Sequence, residues 1–153
     1  MVPLLILFGT FGILFLVNKF WIKKLSISFM GRAALALMLV LAGVAHFVYD
    51  EPMVAMMPDF IPWKLEIVYL TGILEFMAAV GLLSNRTAKV TSIMLIIFFV
   101  AILPANILGS LRGVNIPGAE YGVSYLLFRI PLQVFFILWV WYFGITRLSH
   151  KND

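Results

Sequence analysis

Residues 67–108 read IVYLTGILEFMAAVGLLSNRTAKVTSIMLIIFFVAILPANIL, two long apolar runs separated by the short stretch SNRTAK at residues 84–89. A helix of roughly 17 to 25 apolar residues crosses the ~30 Å hydrocarbon core of a membrane, so each run is long enough to span one. A connection as short as SNRTAK makes two helices antiparallel neighbours. The stretch therefore predicts a helical hairpin inside a membrane.

The rest of the chain has the same character. It is 63% hydrophobic and only 12% charged, whereas soluble domains carry about 25% charged residues. Further apolar runs cover residues 2–21, 33–49 and 125–148. The sequence therefore predicts an all-α membrane protein with five spans and no soluble catalytic domain.

Charge placement predicts the orientation. The first span differs from a secretory signal because its lysines follow the apolar core instead of preceding it. Basic residues concentrate on one side of the predicted membrane, at Lys19, Lys23, Lys24, Arg32, Arg86, Lys89, Arg147 and Lys151. Acidic residues concentrate on the other, at Asp50, Glu51, Asp59, Glu66 and Glu120. The positive-inside rule then predicts the N-terminus outside and the C-terminus inside. It also accounts for the net charge of +4 without a nucleic-acid partner.

The connection after the second span, DEPMVAMMPDFIPWKLE at residues 50–66, is acidic and rich in proline. We expect its prolines to interrupt any continuous helix: Pro52, Pro58 and Pro62. Its apolar side chains are Met56, Met57, Phe60 and Trp63. Two interpretations stay open: a lid lying in the membrane interface, or a connection whose apolar residues cap the bundle.

Five polar side chains lie where lipid should be: His46, Glu75, Asn106, Arg129 and Gln133. A charge at the centre of a bilayer costs about 2.5 to 3.5 kcal/mol on insertion scales, so Glu75 and Arg129 should face inward and pair with each other. Arg129 and Gln133 are four residues apart and share a helix face. We expect the five residues to line one pocket in the outer half of the membrane.

Each of these residues also has a structural interpretation. Asn, Gln and His can bridge neighbouring helices in lipid at about 1 kcal/mol each. Asn106 follows Pro104, and its amide can satisfy backbone groups that the proline frees. The glycines of the spans, Gly43, Gly72 and Gly81, favour close helix approach over phosphate binding.

The amino-acid composition limits the metal and cofactor sites that the chain can form. The chain has no cysteine, which excludes disulfides and thiolate-held metal clusters within it. The only histidine besides His46 is His150 in the tail, too far along the chain for a bis-histidine haem in the membrane. One His and one Glu fall short of the three or four ligands of a metal site. We therefore expect no metal and no covalently bound cofactor.

Five segments stand out by their order and spacing: AGVAHF (42–47), MMPDFIPW (56–63), YLTGILEFMAAVGLL (69–83), FFVAILPANI (98–107) and RIPLQ (129–133). Together they resemble the DoxX-like family of small membrane proteins. The resemblance covers about residues 32–142. The residues that match the family's recurring pattern are His46, Pro58, Pro62, Gly72, Glu75, Gly81, Arg86, Pro104, Asn106, Arg129, Pro131 and Gln133.

The resemblance implies a four-helix transmembrane bundle with one additional N-terminal helix. The expected division is residues 1–31 for the added helix and a basic loop, 32–148 for the bundle, and 149–153 for a cytoplasmic tail. Some members of the DoxX-like family are linked to a thiosulfate to quinone oxidoreductase or other membrane redox complexes, and others to methylamine utilisation. A bacterial cytoplasmic (inner) membrane is the expected location.

Our first functional hypothesis is a redox-linked membrane subunit, accessory to an oxidoreductase. A quinone or similar apolar molecule would occupy the polar pocket, and a partner protein would supply electrons. The alternative is a non-enzymatic protein that binds lipid or assembles a complex. Proton-coupled transport, suggested by the intramembrane Glu75, is weaker because the chain shows no inverted repeat.

Overall fold

The structure, a computed structural model, describes residues 2–113 and 126–147. These residues form six α-helices: α1 (Val2–Val17), α2 (Ile27–Val48), α3 (Asp50–Ala55), α4 (Lys64–Leu83), α5 (Ala88–Leu111) and α6 (Leu126–Trp141). Short π-helical turns, Asn18–Ile22 and Tyr142–Thr146, extend α1 and α6.

Within the described ranges, five helices are long and apolar enough to cross a membrane: Val2–Ile22, Ile27–Val48, Lys64–Leu83, Ala88–Leu111 and Leu126–Thr146. This confirms the five predicted spans and the all-α, integral membrane class. The acidic outer residue Glu120 and the tail residues His150 and Lys151 lie outside the described part of the chain.

The second span begins earlier than the sequence predicted. We expected it to start near residue 33, yet α2 begins at Ile27 because the Ser26 side chain caps it, accepting a hydrogen bond from Phe29 N at 3.1 Å. The preceding turn is closed by Asn18, whose side-chain amide bonds both the N–H and the carbonyl of Leu25. The expected boundary at residues 31 and 32 therefore falls inside a helix.

Arg32 is consequently not a residue of a basic loop. Its side chain is buried in α2. The guanidinium donates to the Leu82 carbonyl at 2.9 Å and to the side chain of Asn85. These contacts satisfy a free carbonyl at the C-terminal end of α4, where the helix dipole also favours a cation. Arg32 thus ties the N-terminal part of α2 to the C-terminal end of α4.

Glycine allows the helices of the hairpins to approach closely, as the sequence predicted. A Cβ atom built on Gly72 would lie 2.9 Å from His46 Cβ and 3.2 Å from the Gly43 carbonyl oxygen. A Cβ atom on Gly81 would collide with the Thr91 side chain in the same way. Contacts this close exclude any larger side chain, so Gly43 and Gly72 fix the crossing of α2 and α4.

The aromatic side chains near the end of α6 differ in their exposure. Trp139 is only 9% exposed. Its indole N–H donates to the Gly31 carbonyl at 3.0 Å, and its ring packs against Phe8 and Phe11 of α1. Trp139 therefore joins α1 and α2 to α6, whereas the neighbouring Trp141 is 50% exposed.

The connection between α2 and α4 contains helix α3 and a turn. No continuous helix runs through it, as expected; Pro52 lies in the first turn of α3, where a proline is tolerated. Met56 and Met57 are buried, and Met56 packs against Gly109 of α5. Phe60 and Trp63 are exposed.

Arg112, directly after α5, holds this connection in place. Its guanidinium donates to the carbonyls of Ala55 and Met57 at 3.1 and 3.2 Å, and it forms an ion pair with Asp59 at 2.7 Å. Lys64 contacts the same carboxylate at 3.3 Å. We call this group of contacts around Asp59 the clasp.

Candidate functional site

His46 of α2 and Glu75 of α4 face each other just beyond the close approach of Gly43 and Gly72. Their side chains meet with His46 Nε2 3.7 Å from Glu75 Oε2. Glu75 lies on the buried face of α4, together with Gly72 and Ala79. The small glycines bring the two backbones near enough for an imidazole and a carboxylate to meet inside the membrane.

The hydrogen bonds of His46 fix its tautomer. The Thr71 hydroxyl donates its hydrogen to the Val68 carbonyl at 2.7 Å, so toward His46 Nδ1, 3.1 Å away, it can only accept. The Val68 carbonyl oxygen, 3.0 Å from Nδ1, is also an acceptor. Nδ1 therefore carries a hydrogen, and Nε2 is the ring nitrogen that faces Glu75.

Glu75 Oε2 is nevertheless incompletely satisfied. It is buried and has no hydrogen-bond partner in the described structure, because a distance of 3.7 Å to Nε2 is too long for a hydrogen bond. Buried polar atoms are almost always hydrogen-bonded, so an unsatisfied one calls for an explanation, such as a bound water, ion or ligand. The His46 side chain is 18% exposed and that of Glu75 6%, so an approaching molecule meets the imidazole first.

An aromatic surface adjoins the pair. Phe47, next to His46, stacks on Tyr69 and Phe76 of α4, with ring centroids 5.2 and 6.2 Å apart. The Phe47 side chain is partly exposed. An apolar ring could therefore lie against this surface while its polar groups reach His46.

The other three predicted site residues meet between α5 and α6. The Arg129 guanidinium donates to Asn106 Oδ1 at 2.6 Å, and the Gln133 amide donates to the Phe99 carbonyl at 2.8 Å. We had expected Asn106 to serve the backbone freed by Pro104, but its Oδ1 accepts from Arg129. We had also expected Glu75 to pair with Arg129, whereas its ion pair in the described structure is with His46.

Two carboxyl groups outside the spans, those of Asp50 and Asp59, have lowered pKa values. The Tyr69 hydroxyl donates to Asp50 at 2.7 Å and, with the Glu51 N–H, holds the pKa of that carboxyl below its usual range. Arg112 and then Lys64 lower the pKa of Asp59 in the same way. Neither is a metal site: within residues 2–113 and 126–147, no group of three His, Cys, Asp or Glu side chains could hold a metal ion.

A family model described as "Domain of unknown function (DUF8561)" matches residues 35–144, most of the chain. The chain belongs to the DUF8561 family. The DUF8561 region begins inside α2 and ends in the π-helical turn after α6, so it contains all five predicted site residues but not α1.

The other two comparisons add no relative. No curated protein and no solved structure matches the chain. The functional interpretation of this DUF8561 member therefore depends on the geometry of its own residues.

Proposed function

We propose that this protein binds a quinone, or an apolar molecule with a similar hydrogen-bonding head group, at the His46–Glu75 pair. The observation that carries the proposal is the buried oxygen Glu75 Oε2, which has no hydrogen-bond partner in the described structure and faces an imidazole 3.7 Å away. In this proposal the protein is a redox-linked membrane subunit, accessory to an oxidoreductase.

The chemistry of the pair suits such a head group. A quinol hydroxyl can donate a hydrogen bond to the Glu75 carboxylate or to His46 Nε2, and a protonated Nε2 can donate to a quinone carbonyl. Phe47 supplies an apolar ring against which the head group can lie. The chain has no cysteine for an iron–sulfur cluster, so a redox partner protein would deliver or accept the electrons.

The proposal includes the placement of the protein. We propose that α2, α4, α5 and α6 form a four-helix transmembrane bundle to which α1 is added, with the N-terminus outside and the C-terminus inside. The exposed inner residues Lys23, Lys24 and Arg86 support this orientation. A bacterial cytoplasmic membrane and a relationship to the DoxX-like family belong to the same proposal and rest on the sequence motifs.

The experiment tests ligand binding at the pair. The full chain is extracted in mild detergent, and its co-purifying small molecules are identified by mass spectrometry. A short-chain quinone analogue is then expected to raise the thermal unfolding temperature of the wild type but not of Glu75→Gln or His46→Phe. Glu51→Gln, which removes an exposed carboxylate elsewhere, should keep the wild-type response.

Two results would contradict the proposal. One is the absence of any co-purified quinone together with no thermal shift for any quinone analogue. The other is an equal shift in the wild type and both pair variants, which would place quinone binding elsewhere on the chain.

A second function is favoured by the contacts between α5 and α6. Arg129 donates a hydrogen bond to Asn106, and Gln133 donates one to the Phe99 carbonyl. Polar residues hold helices together in lipid through hydrogen bonds of this kind. In this alternative the protein is a non-enzymatic lipid-binding or complex-assembly module. It predicts that a folded Glu75→Gln variant replaces the wild-type protein in cells that lack it. Failure of a well-folded Glu75→Gln variant to do so favours the ligand site.

A further inference from the structure

An open groove lies on the surface of α4, away from the His46–Glu75 pair. Its volume is about 430 Å³, and its walls are formed by Trp63, Glu66, Ile67 and Leu70. Trp63, at the mouth, is 76% exposed. Its backbone has a φ of 50°, a left-handed conformation that non-glycine residues rarely adopt. The fold therefore holds a large aromatic side chain in the open at the point where α4 begins.

The mouth of the groove attracts cations. Glu66 is exposed and has no ion pair within the described residues. The nearest lysine in sequence, Lys64, is directed to Asp59 at 3.3 Å. Asp50 and Glu51 add negative charge at the same end of the helices. A carboxylate beside an exposed indole ring is a favourable site for an alkylammonium group, through charge and cation–π attraction.

The rest of the groove is apolar. Counted from Trp63, Ile67 lies one turn and Leu70 two turns further along the chain. The exposed side chains of Leu74 and Met77 continue the same helix face. This face belongs to a helix that is apolar enough to cross a membrane. A polar, cation-attracting mouth followed by an apolar strip of this length matches the shape of one phospholipid.

We propose that this groove binds a phospholipid whose head group carries an ammonium, such as phosphatidylethanolamine or phosphatidylcholine. The ammonium lies between the Trp63 ring and the Glu66 carboxylate, and an acyl chain follows Ile67 and Leu70. Phosphatidylglycerol, which has a net negative head group and no ammonium, is disfavoured by Glu66. The proposal is independent of quinone binding because it uses none of the same side chains.

Native mass spectrometry of the full chain in detergent tests the preference. Phosphatidylethanolamine and phosphatidylglycerol are added in equal amounts, and the fraction of protein that retains each lipid is measured. The wild type should retain phosphatidylethanolamine about two- to five-fold better. Glu66→Gln and Trp63→Ala should abolish the preference, whereas Trp63→Phe, which keeps a ring, should preserve part of it.

The controls separate this groove from general charge effects. Glu51→Gln removes a carboxylate at the same end but outside the groove, and Glu75→Gln alters only the buried pair; both should keep the wild-type preference. Because the altered groove side chains are exposed, unchanged thermal unfolding temperatures verify that the variants are folded. Equal retention of the two lipids by the wild type overturns the proposal, as does an unchanged preference in Glu66→Gln or an equal loss in Glu51→Gln.

Discussion

The Nε2 atom of His46 lies 3.7 Å from Oε2 of Glu75, on two helices that touch through Gly43 and Gly72. The opposite ring nitrogen is anchored by the Val68 carbonyl and the Thr71 hydroxyl. The imidazole is therefore oriented by one helix, α4, while its own backbone belongs to another, α2. This arrangement makes the pair a link between the two helices.

A double-mutant cycle on this pair measures the link. We expect His46→Leu to lower the free energy of unfolding by about 3 kcal/mol, because it leaves a buried carboxylate without its partner. Glu75→Leu in the same background should recover part of that loss. Unfolding in detergent micelles gives the four free energies needed. The coupling free energy between His46 and Glu75 should exceed the value that the same cycle gives for Glu75 and Arg129. Equal coupling free energies would contradict the His46–Glu75 pairing.

Gly72 tests the closeness of α2 and α4. We expect Gly72→Ala to lower the free energy of unfolding by about 1 to 3 kcal/mol, because its Cβ would lie 2.9 Å from His46 Cβ. Gly12→Ala in α1 is the matched control: nothing lies within 4 Å of its built Cβ, so the higher helix propensity of alanine should be neutral or stabilising. Similar effects of the two substitutions would refute the close contact.

The helices and the close glycines could be predicted from the sequence because hydropathy and small residues act locally. The pairing of the polar residues could not, because it depends on how each helix is rotated. Glu75 and Arg129 have opposite charges at similar predicted depths, but the backbone contact at Gly43 and Gly72 places His46 nearer to the carboxylate. Asn106, five residues before the end of α5, accepts the hydrogen bond from Arg129 instead.

Arg32 was missed for a related reason. Counted by sequence position, it belonged with the lysines of the inner loop, and positive-inside reasoning assigns such residues to water. The signal that would have found it is Ser26, whose capping side chain starts α2 six residues before Arg32 and so brings the arginine inside the helix. The burial of Trp139 could not be predicted from α6 alone either, because it depends on contacts with α1.

We expect the buried guanidinium of Arg32 to contribute more to the free energy of unfolding than the exposed basic residues near it in sequence do. We expect Arg32→Lys to lower the free energy of unfolding by about 2 kcal/mol, because a single ammonium cannot bond Leu82 and Asn85 with the geometry of the guanidinium. Arg32→Gln should cost more. Arg86→Lys, on the exposed turn, serves as the control and should leave stability unchanged in the same thermal unfolding assay. A loss in Arg86→Lys as large as in Arg32→Lys would refute the specific role.

The clasp around Asp59 predicts a dependence of stability on pH. Arg112, and then Lys64, lower the pKa of Asp59 in the folded protein, so the stabilisation is complete above the carboxyl's ordinary pKa and is lost as the pH falls through the lower, folded value. Asp59→Asn lacks this contribution at every pH. The difference in unfolding temperature between the wild type and Asp59→Asn should therefore be largest near neutrality and should close in acid. A difference that is constant with pH would exclude this mechanism.

The proposed orientation can be tested because the chain has no cysteine of its own. Ser84, in the exposed turn between α4 and α5, and Phe60, 85% exposed in the connection after α3, mark opposite ends of α4. In intact cells, an impermeant maleimide should label Phe60→Cys but not Ser84→Cys, and permeabilisation should make both reactive. Because α4 crosses the membrane once, labelling of Ser84→Cys alone would invert the topology and would place the clasp, the groove and the nearer entrance to His46 on the cytoplasmic side.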